Sequence, residues 1–437
     1  MAAGAAAVQH TAKADVYKSI LPGSVLGANE RIRTGHIGVG GMGRADLMFC
    51  LKRDDIQPIA ICDLYPKQIA RAGAMLRQKF PDFTTHHDFR DVLDNKDVDA
   101  VVIATPDHWH CLATLHAADA GKDIYCEKPL STTIEEGRAM IDAVRRNNVV
   151  FQGGTMQRSG KQFQDAVALV QAGHIGKVAR VETWIHDNES IDGIGMGEDD
   201  IRKYPGCDWP FHQGWTEHRP FNTNRWIYNF RWFLDYSGGK ITDWGAHLVD
   251  IAIWAMGQEK QPKSVVAKGG KFVLRDNRTT PDTLEVLWQY DDYVLSFSNR
   301  VYNPYLPGGH RGHGILFHGT KGSLIVDRGG YRVIPSPQNG GCEEKEGGAA
   351  QMNEPHWENF VECVRSRKDP ICKVETLHNT TRTCHMATCS FVAGTELEWD
   401  AENERFKGTG AEVRAANDWA YRKYLNGWSL KAPYWRG

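Results

Sequence analysis

Residues 37 to 43 read IGVGGMG, directly after the apolar, partly β-branched stretch Ile32 to Ile37. A second apolar run, PIAICD, closes in an acid at Asp63, twenty residues beyond Gly43. This spacing predicts a strand that feeds a tight glycine turn into a helix. In such a unit Gly38 bends the chain, Gly40 admits a pyrophosphate against bare backbone, and Gly43 packs helix on strand. Gly41 and Met42 complete the loop, and the helix N-terminus faces phosphate charge. A carboxylate ending the second strand accepts hydrogen bonds from adenosine ribose hydroxyls and repels a 2′-phosphate, so Asp63 selects NAD over NADP. The alternative is an ordinary glycine-rich turn, and the strand before, the helix after and the spaced acid count against it.

At 437 residues with 41% hydrophobic content, the chain should form two domains, because single cores stop growing near ~250–300 residues. A formal net charge of -2 supplies no basic field for nucleic acid, and no apolar run approaches the ~18 residues of a membrane helix. Neither nucleic acid nor membrane insertion is expected. The 14 tryptophans suit a sugar-like ligand, since indole faces stack on C–H-rich rings, and they suit core filling equally. Ten cysteines form no C-x-x-C pair and no zinc-like spacing, so no metal site is expected. Five of them, Cys342, Cys363, Cys372, Cys384 and Cys389, fall near the C-terminus. Disulfides there would accompany export, and buried thiols are the default. The opening MAAGAAAVQH has the look of an apolar signal region with an A-x-A-like site but no basic start, the first arginine being Arg31. The expectation is a remnant of an export signal and hence a periplasmic or exported protein, the alternative being an Ala-rich tail on a cytoplasmic enzyme.

Short apolar runs alternate with helical patterns up to about residue 155. A helix over Lys67 to Phe80 precedes a strand from Val98 to Thr105, a helix from Trp109 to Ala120, a strand from Asp123 to Cys126, a helix from Thr133 to Arg146, and the run VVFQGG. That rhythm predicts a doubly wound parallel sheet of α/β class. From Lys177 the pattern becomes alternating strands, KVARVETWIH, TLEVLWQY, YVLSFSNR, GILFHGT and GSLIVD, which predict a second, mostly antiparallel α+β domain. Residues 187 to 235 are a long irregular insertion rich in Trp, His, Pro and Asn, a length usually tied to function.

Three segments outside the glycine turn carry chemistry. TPDHWH, Thr105 to His110, follows a parallel strand at its carboxyl end, where ligands of open α/β sheets bind. EKPL, Glu127 to Leu130, places Lys128 at the next strand terminus as a cation aimed into a crevice, although a solvated surface lysine is the commoner case. In GGKITDWGAHLVD, Asp243 and His247 are four apart and therefore share a helix face, within reach of one substrate. His247 suits the role of base near neutral pH, with Asp243 orienting it. A capping Asp and a core His are the plain alternative.

Taken together, IGVGGMG with Asp63, ATPDHWH, GKDIYCEKPLSTTIEEGRAMIDA, QGGTMQRS, the Asp243 to His247 pattern, HGTKGSLIVD and NFVECVRSRKDP resemble the Gfo/Idh/MocA family of NAD(P)-dependent sugar and cyclitol oxidoreductases. TPDHWH, QRS and RWFLDYSGGKITDWGAHLVD are similar to a branch whose members often carry twin-arginine export signals. The resemblance implies that Lys128, Asp243 and His247 line an active site. It implies that NAD places its nicotinamide near Thr105, Pro106 and Glu127, with Lys128 beside it. Gln157, His110, Trp109 and Arg158 become candidates for cofactor or substrate edges, and Trp226, Arg231 and Trp232 for substrate contacts from the insertion. It further implies hydride transfer from a ring hydroxyl carbon of a sugar, glycoside or cyclitol, and a homodimer or homotetramer built through the open second sheet. Some relatives use held NAD for redox-neutral glycoside cleavage instead, and others act as non-catalytic sugar or NAD sensors. The division expected is residues 1–30 as signal remnant or linker, 31–155 as NAD-binding domain, 156–375 as substrate and oligomerisation domain, and 376–437 as an extension partly returning to the first domain.

Overall fold

The computed structural model describes residues 31–305 and 312–434. The proposed signal remnant lies outside the described residues. The first half forms a six-stranded parallel sheet from β1 (Ile32–Ile37), β2 (Ile56–Cys62), β3 (Thr84–His86), β4 (Ala100–Ile103), β5 (Asp123–Cys126) and β6 (Phe151–Gly153). The order is β3-β2-β1-β4-β5-β6. Helices α1 (Gly41–Leu51), α2 (Pro66–Leu76), α3 (Phe89–Asp94), α4 (Asp107–Asp119) and α5 (Ile134–Asn147) connect them. β4 and β5 are buried at every position, which is why β4 reads as an unbroken apolar run and β5 is apolar after the paired Asp123. The strand order reverses direction between β1 and β4, and a crevice opens there at the carboxyl ends. Helix α4 begins two residues earlier than its apolar pattern suggests, because Pro106 precedes a first turn carrying Asp107, which favours the helix dipole.

Beyond α6 (Lys161–Gln171) the chain builds a ten-stranded sheet. Its strands are β7 (Val178–His186), β8 (Ser264–Gly270), β9 (Thr283–Gln289), β10 (Val294–Arg300), β11 (His313–Gly319), β12 (Gly322–Asp327), β13 (Gly330–Pro335), β14 (Glu346–Gly348), β15 (Leu397–Asp400) and β16 (Arg405–Phe406). They run in the order β14-β13-β12-β11-β7-β10-β9-β8-β15-β16. All neighbours are antiparallel except β7 and β10. In β9 and β10 alternate residues are buried, so one face packs on helices and the other stays open. The insertion contributes α7 (Trp209–Gln213), and the helices behind the sheet include α8 (Lys240–Asp243), α9 (Gly245–Met256), α11 (Val374–Ala393) and α12 (Ala411–Ala420), after α10 (Asn353–Ser366). Among the described residues no helix is long and apolar enough to cross a membrane, no His, Cys, Asp and Glu cluster could hold a metal, and the cysteines are free thiols.

The chain returns to the parallel sheet sooner than expected. Helix α10, ahead of residue 376, lays Trp357 on Tyr125 with ring centroids 4.2 Å apart and buries Phe360, Val361 and Val364 against β1, β4 and β5. The final segment returns as well: Trp428 and Tyr434 join the core on the other side of that sheet.

Arg158 belongs to this framework rather than to a substrate contact. Its guanidinium donates to both oxygens of Asp250 at 2.7 Å, and the two side chains are 3% and 0% exposed. Thr380 of α11 donates to the same carboxylate at 2.7 Å, and Trp254 stacks on the guanidinium. Three segments meet at this ion pair. Arg158→Met should therefore strand a buried carboxylate and cost about 3–5 kcal/mol in urea unfolding. A sugar KM that rises with stability unmoved would return Arg158 to the substrate.

Candidate active site

The glycine turn forms as its spacing demands. Gly38 has φ +82, and a Cβ there would lie 2.7 Å from the Ala104 carbonyl, so only glycine lets β1 and β4 stay adjacent. A Cβ on Gly43 would stand 1.9 Å from the Gly38 carbonyl oxygen, which makes Gly43 the packing glycine and keeps it out of the cavity wall. A Cβ on Gly40 or Gly41 would meet nothing within 4 Å. Both face a cavity of about 490 Å³ that Met42 also lines. The first N–H groups of a helix have no intrahelical partner, so this end of α1, beside bare glycines, suits a diphosphate.

Asp63 sits where β2 ends, beside this turn. Its carboxylate accepts from the backbone N–H of Val39 at 3.0 Å and of Tyr65 at 2.9 Å, so the turn and the acid hold each other. Lone pairs remain for a ribose diol, because a carboxylate offers about four acceptor sites. Burial pushes Asp63 up to about 6, against those two hydrogen bonds and the charge of Arg44.

The ends of β4 and β5 form the next part of the wall. Thr105, Pro106, Asp107, Trp109, His110, Glu127 and Lys128 all line the cavity. His110 clamps the two loops together, with Nδ1 at 2.7 Å from the Pro129 carbonyl and Nε2 at 3.0 Å from that of Thr105. Glu127 is buried, which pushes it up to about 7 against the neighbouring Lys128. Gly154 leaves it room, since a Cβ there would fall 2.5 Å from Oε1. Asp107 accepts from Ser237 Oγ at 2.5 Å and so ties the start of α4 to the loop that carries α8.

Lys128 reaches across to that loop. Its ammonium donates to Asp243 Oδ1 at 2.7 Å and to the Asp243 carbonyl at 3.0 Å, with both side chains largely buried. Burial alone would raise the Asp243 pKa, but Lys128 and Arg231 outweigh it and hold the carboxyl well below its usual range. The continuous helix expected from Asp243 to His247 is broken at Trp244, where α8 ends and α9 begins. Asp243 thus pairs with Lys128 rather than orienting His247. His247 lies next to the pair, 4% exposed and outside the cavity wall, with Nδ1 lacking a partner. Burial, then the Lys128 and Arg328 cations, hold it far below the ordinary histidine pKa, so the ring is neutral. Gln157 also stands outside the wall. It contacts the His247 carbonyl and Arg328 at 3.4 Å each, behind the cavity.

The insertion supplies the opposite wall: Phe211, His212, Trp226, Ile227, Tyr228, Phe230 and Arg231. Trp226 and Arg231 therefore face the site, whereas Trp232 stacks with Lys240 and Arg278 and packs the loop. Trp109 lines the cavity from the core side, its N–H donating to the His212 carbonyl at 2.9 Å and its ring stacked on Phe211. Sequence reasoning assigned no role to Asp107 or Tyr228. Asp107 had a signal, standing after Pro106 at a helix start, but Tyr228 had none beyond lying in a long loop.

Residues 32–155 match the family described as oxidoreductase family, NAD-binding Rossmann fold, and residues 209–325 match the GFO/IDH/MocA C-terminal domain. The chain is 32% identical over 157 residues to the levoglucosan dehydrogenase of Pseudarthrobacter phenanthrenivorans, a match covering 34% of this chain and 39% of that protein. It is 28% identical over 176 residues to a glycosyl hydrolase family 109 protein of Shewanella putrefaciens, covering 39% of this chain and 38% of that one. The chain thus matches less than half the length of either relative. Among solved structures, levoglucosan dehydrogenase in complex with NADH and levoglucosan aligns with a TM-score of 0.62 at 20% identity, over 84% of this chain and 99% of that chain. That likeness establishes the fold.

Asp63 makes the cofactor site testable by pH. Its pKa is raised to about 6 by burial, and ribose hydroxyls bind the ionised form, so protonation removes their acceptor. NAD affinity measured by calorimetry should weaken as pH falls through about 6, and Asp63→Asn should flatten that dependence. An affinity that stays constant from pH 8 to pH 5 would contradict the role of Asp63.

Proposed function

Because the chain belongs to the Gfo/Idh/MocA oxidoreductase family, with an NAD-binding Rossmann domain at residues 32–155, we propose that it oxidises a ring hydroxyl of a sugar, glycoside or cyclitol. The observation that carries this reading is the Lys128–Asp243 pair, set into the wall of the cavity that begins at the glycine turn. NAD, when bound, supplies the hydride acceptor at its nicotinamide ring. Everything else falls to side chains of this protein.

Lys128 donates a hydrogen bond to the reacting oxygen and stabilises the charge that grows on it as the carbon–hydrogen bond breaks. Asp243 stays ionised and holds that ammonium in place through its carboxylate and its carbonyl. The hydroxyl proton passes to His247, the neutral ring beside the pair whose Nδ1 has no other partner. The sugar carbon loses a hydride and its oxygen a proton, which leaves a ketone. The apolar rings of Phe211, Trp226 and Phe230 exclude water, which strengthens each of these charge interactions.

The family 109 similarity favours a second reading, in which the same oxidation is transient and ends in glycoside cleavage with the hydride returned. On the sequence resemblance we further propose an exported protein that assembles as a dimer or tetramer through the open face of the ten-stranded sheet. Light scattering showing only monomer would contradict the assembly.

Lys128→Met should lower kcat by about 10²–10³-fold, and His247→Ala by about 10²–10⁴-fold, with NAD binding retained. The assay follows NADH absorbance and released aglycone together over free sugars and aryl glycosides. NADH formed in step with ketone, and dependent on added NAD, supports the dehydrogenase. Aglycone release without NADH supports the second reading, and unchanged turnover in both variants removes these residues from the chemistry.

A further inference from the structure

Tyr228 occupies an unusual place in the roof of the cavity. Its φ is 64 and its ψ is -54, and the Asn229 N–H donates to the Ile227 carbonyl at 2.8 Å. This is a γ-turn of the rare, strained kind, with a positive φ at its centre, where glycine would sit at least cost. A bulky aromatic stands there instead, and it is 62% exposed. The Arg231 guanidinium covers one face of the ring at 4.3 Å from the centroid, which leaves the other face to solvent.

The surrounding loop holds the turn firmly. Asn224 donates to the carbonyls of Ile194 and Gly195 at 3.1 Å and to Asn277 at 2.9 Å, and Arg225 pairs with Asp235 at 2.7 Å. The turn also stands next to the reacting groups, since the Arg231 charge acts on both Asp243 and Asp107. Trp226, 4% exposed on the same wall, has an indole N–H without a partner, and so does the Nε of Arg231. A strained residue held by its surroundings marks a functional position.

We propose that Tyr228 is the stacking platform of a second sugar subsite at the mouth of the cavity, so that the substrate is a glycoside of at least two rings rather than a free monosaccharide. This rests on the oxidoreductase reading above. One ring is oxidised at Lys128, and the next lies with its C–H face on the free face of Tyr228. Arg231 props the ring from behind.

The test compares kcat/KM for glucose and galactose with that for maltose, cellobiose, lactose and the matching aryl glycosides. The wild-type protein should prefer two-ring substrates. In Tyr228→Gly that preference should fall by about three- to tenfold through KM, while thermal stability holds or rises because glycine relaxes the turn. Tyr228→Phe should keep the preference. A gain for aryl glycosides alone would overturn the sugar subsite, as would a preference that Tyr228→Gly leaves unmoved or a loss of NAD affinity in its place. If the wild type oxidises no sugar, calorimetry with the disaccharides decides: binding that depends on Tyr228 retains the subsite while the oxidoreductase reading fails, and no binding overturns both.

Discussion

The ammonium of Lys128 and the carboxylate of Asp243 lie 2.7 Å apart and mostly out of water, one at the end of a parallel strand and the other on a short helix beside the second sheet. Either charge buried alone would cost energy, so each stabilises the other where it stands. The pair ties the end of β5 to α8 at the cavity, and its charges act on their neighbours. Asp243 remains ionised despite burial, and His247 remains neutral because it is buried and, to a lesser degree, because cations stand near it. On the proposed reading, the donor for a developing alkoxide and the neutral ring that takes its proton stand side by side at this ion pair.

The roof over this site is built as a fixed wall. Arg219 and Arg225 both pair with Asp235, and the tail braces the insertion from outside. Tyr424 stacks on Trp215 at 4.4 Å and donates to Glu136 at 2.5 Å, Asn426 donates to the carbonyls of Gly214 and Thr216, and Trp428 meets the edge of Trp109 at 5.0 Å. Because Trp109 also lines the cavity, the tail, the insertion and the first sheet form one packed layer around the site. Strain at Tyr228 is sustained by this bracing.

Much of this was legible in local pattern. The glycine turn, the acid at Asp63 and the strand-end positions of Thr105 and Lys128 follow from spacing, because period and turn chemistry are properties of neighbouring residues. Long-range partners are not. Asp243 and His247 look like one helix face, yet the helix breaks at Trp244 and the carboxylate turns to a lysine 115 residues away. Arg158 and Gln157 sit in a motif that reads as functional, but one is locked to Asp250 and the other lies behind His247. Helix α10 has a periodicity that says only that one face is buried, with nothing to reveal that the face belongs to the parallel sheet.

The central claim is that a hydrogen leaves a sugar ring carbon as hydride for NAD at the wall formed by Lys128 and Asp243. The most direct measurement uses a substrate carrying deuterium on the oxidised carbon, with NADH and product examined by NMR. The account predicts deuterium at nicotinamide C4 of the NADH, a primary isotope effect on kcat/KM, and a ketone at the labelled carbon. Deuterium retained at that carbon in every product, with no isotope effect, would contradict it.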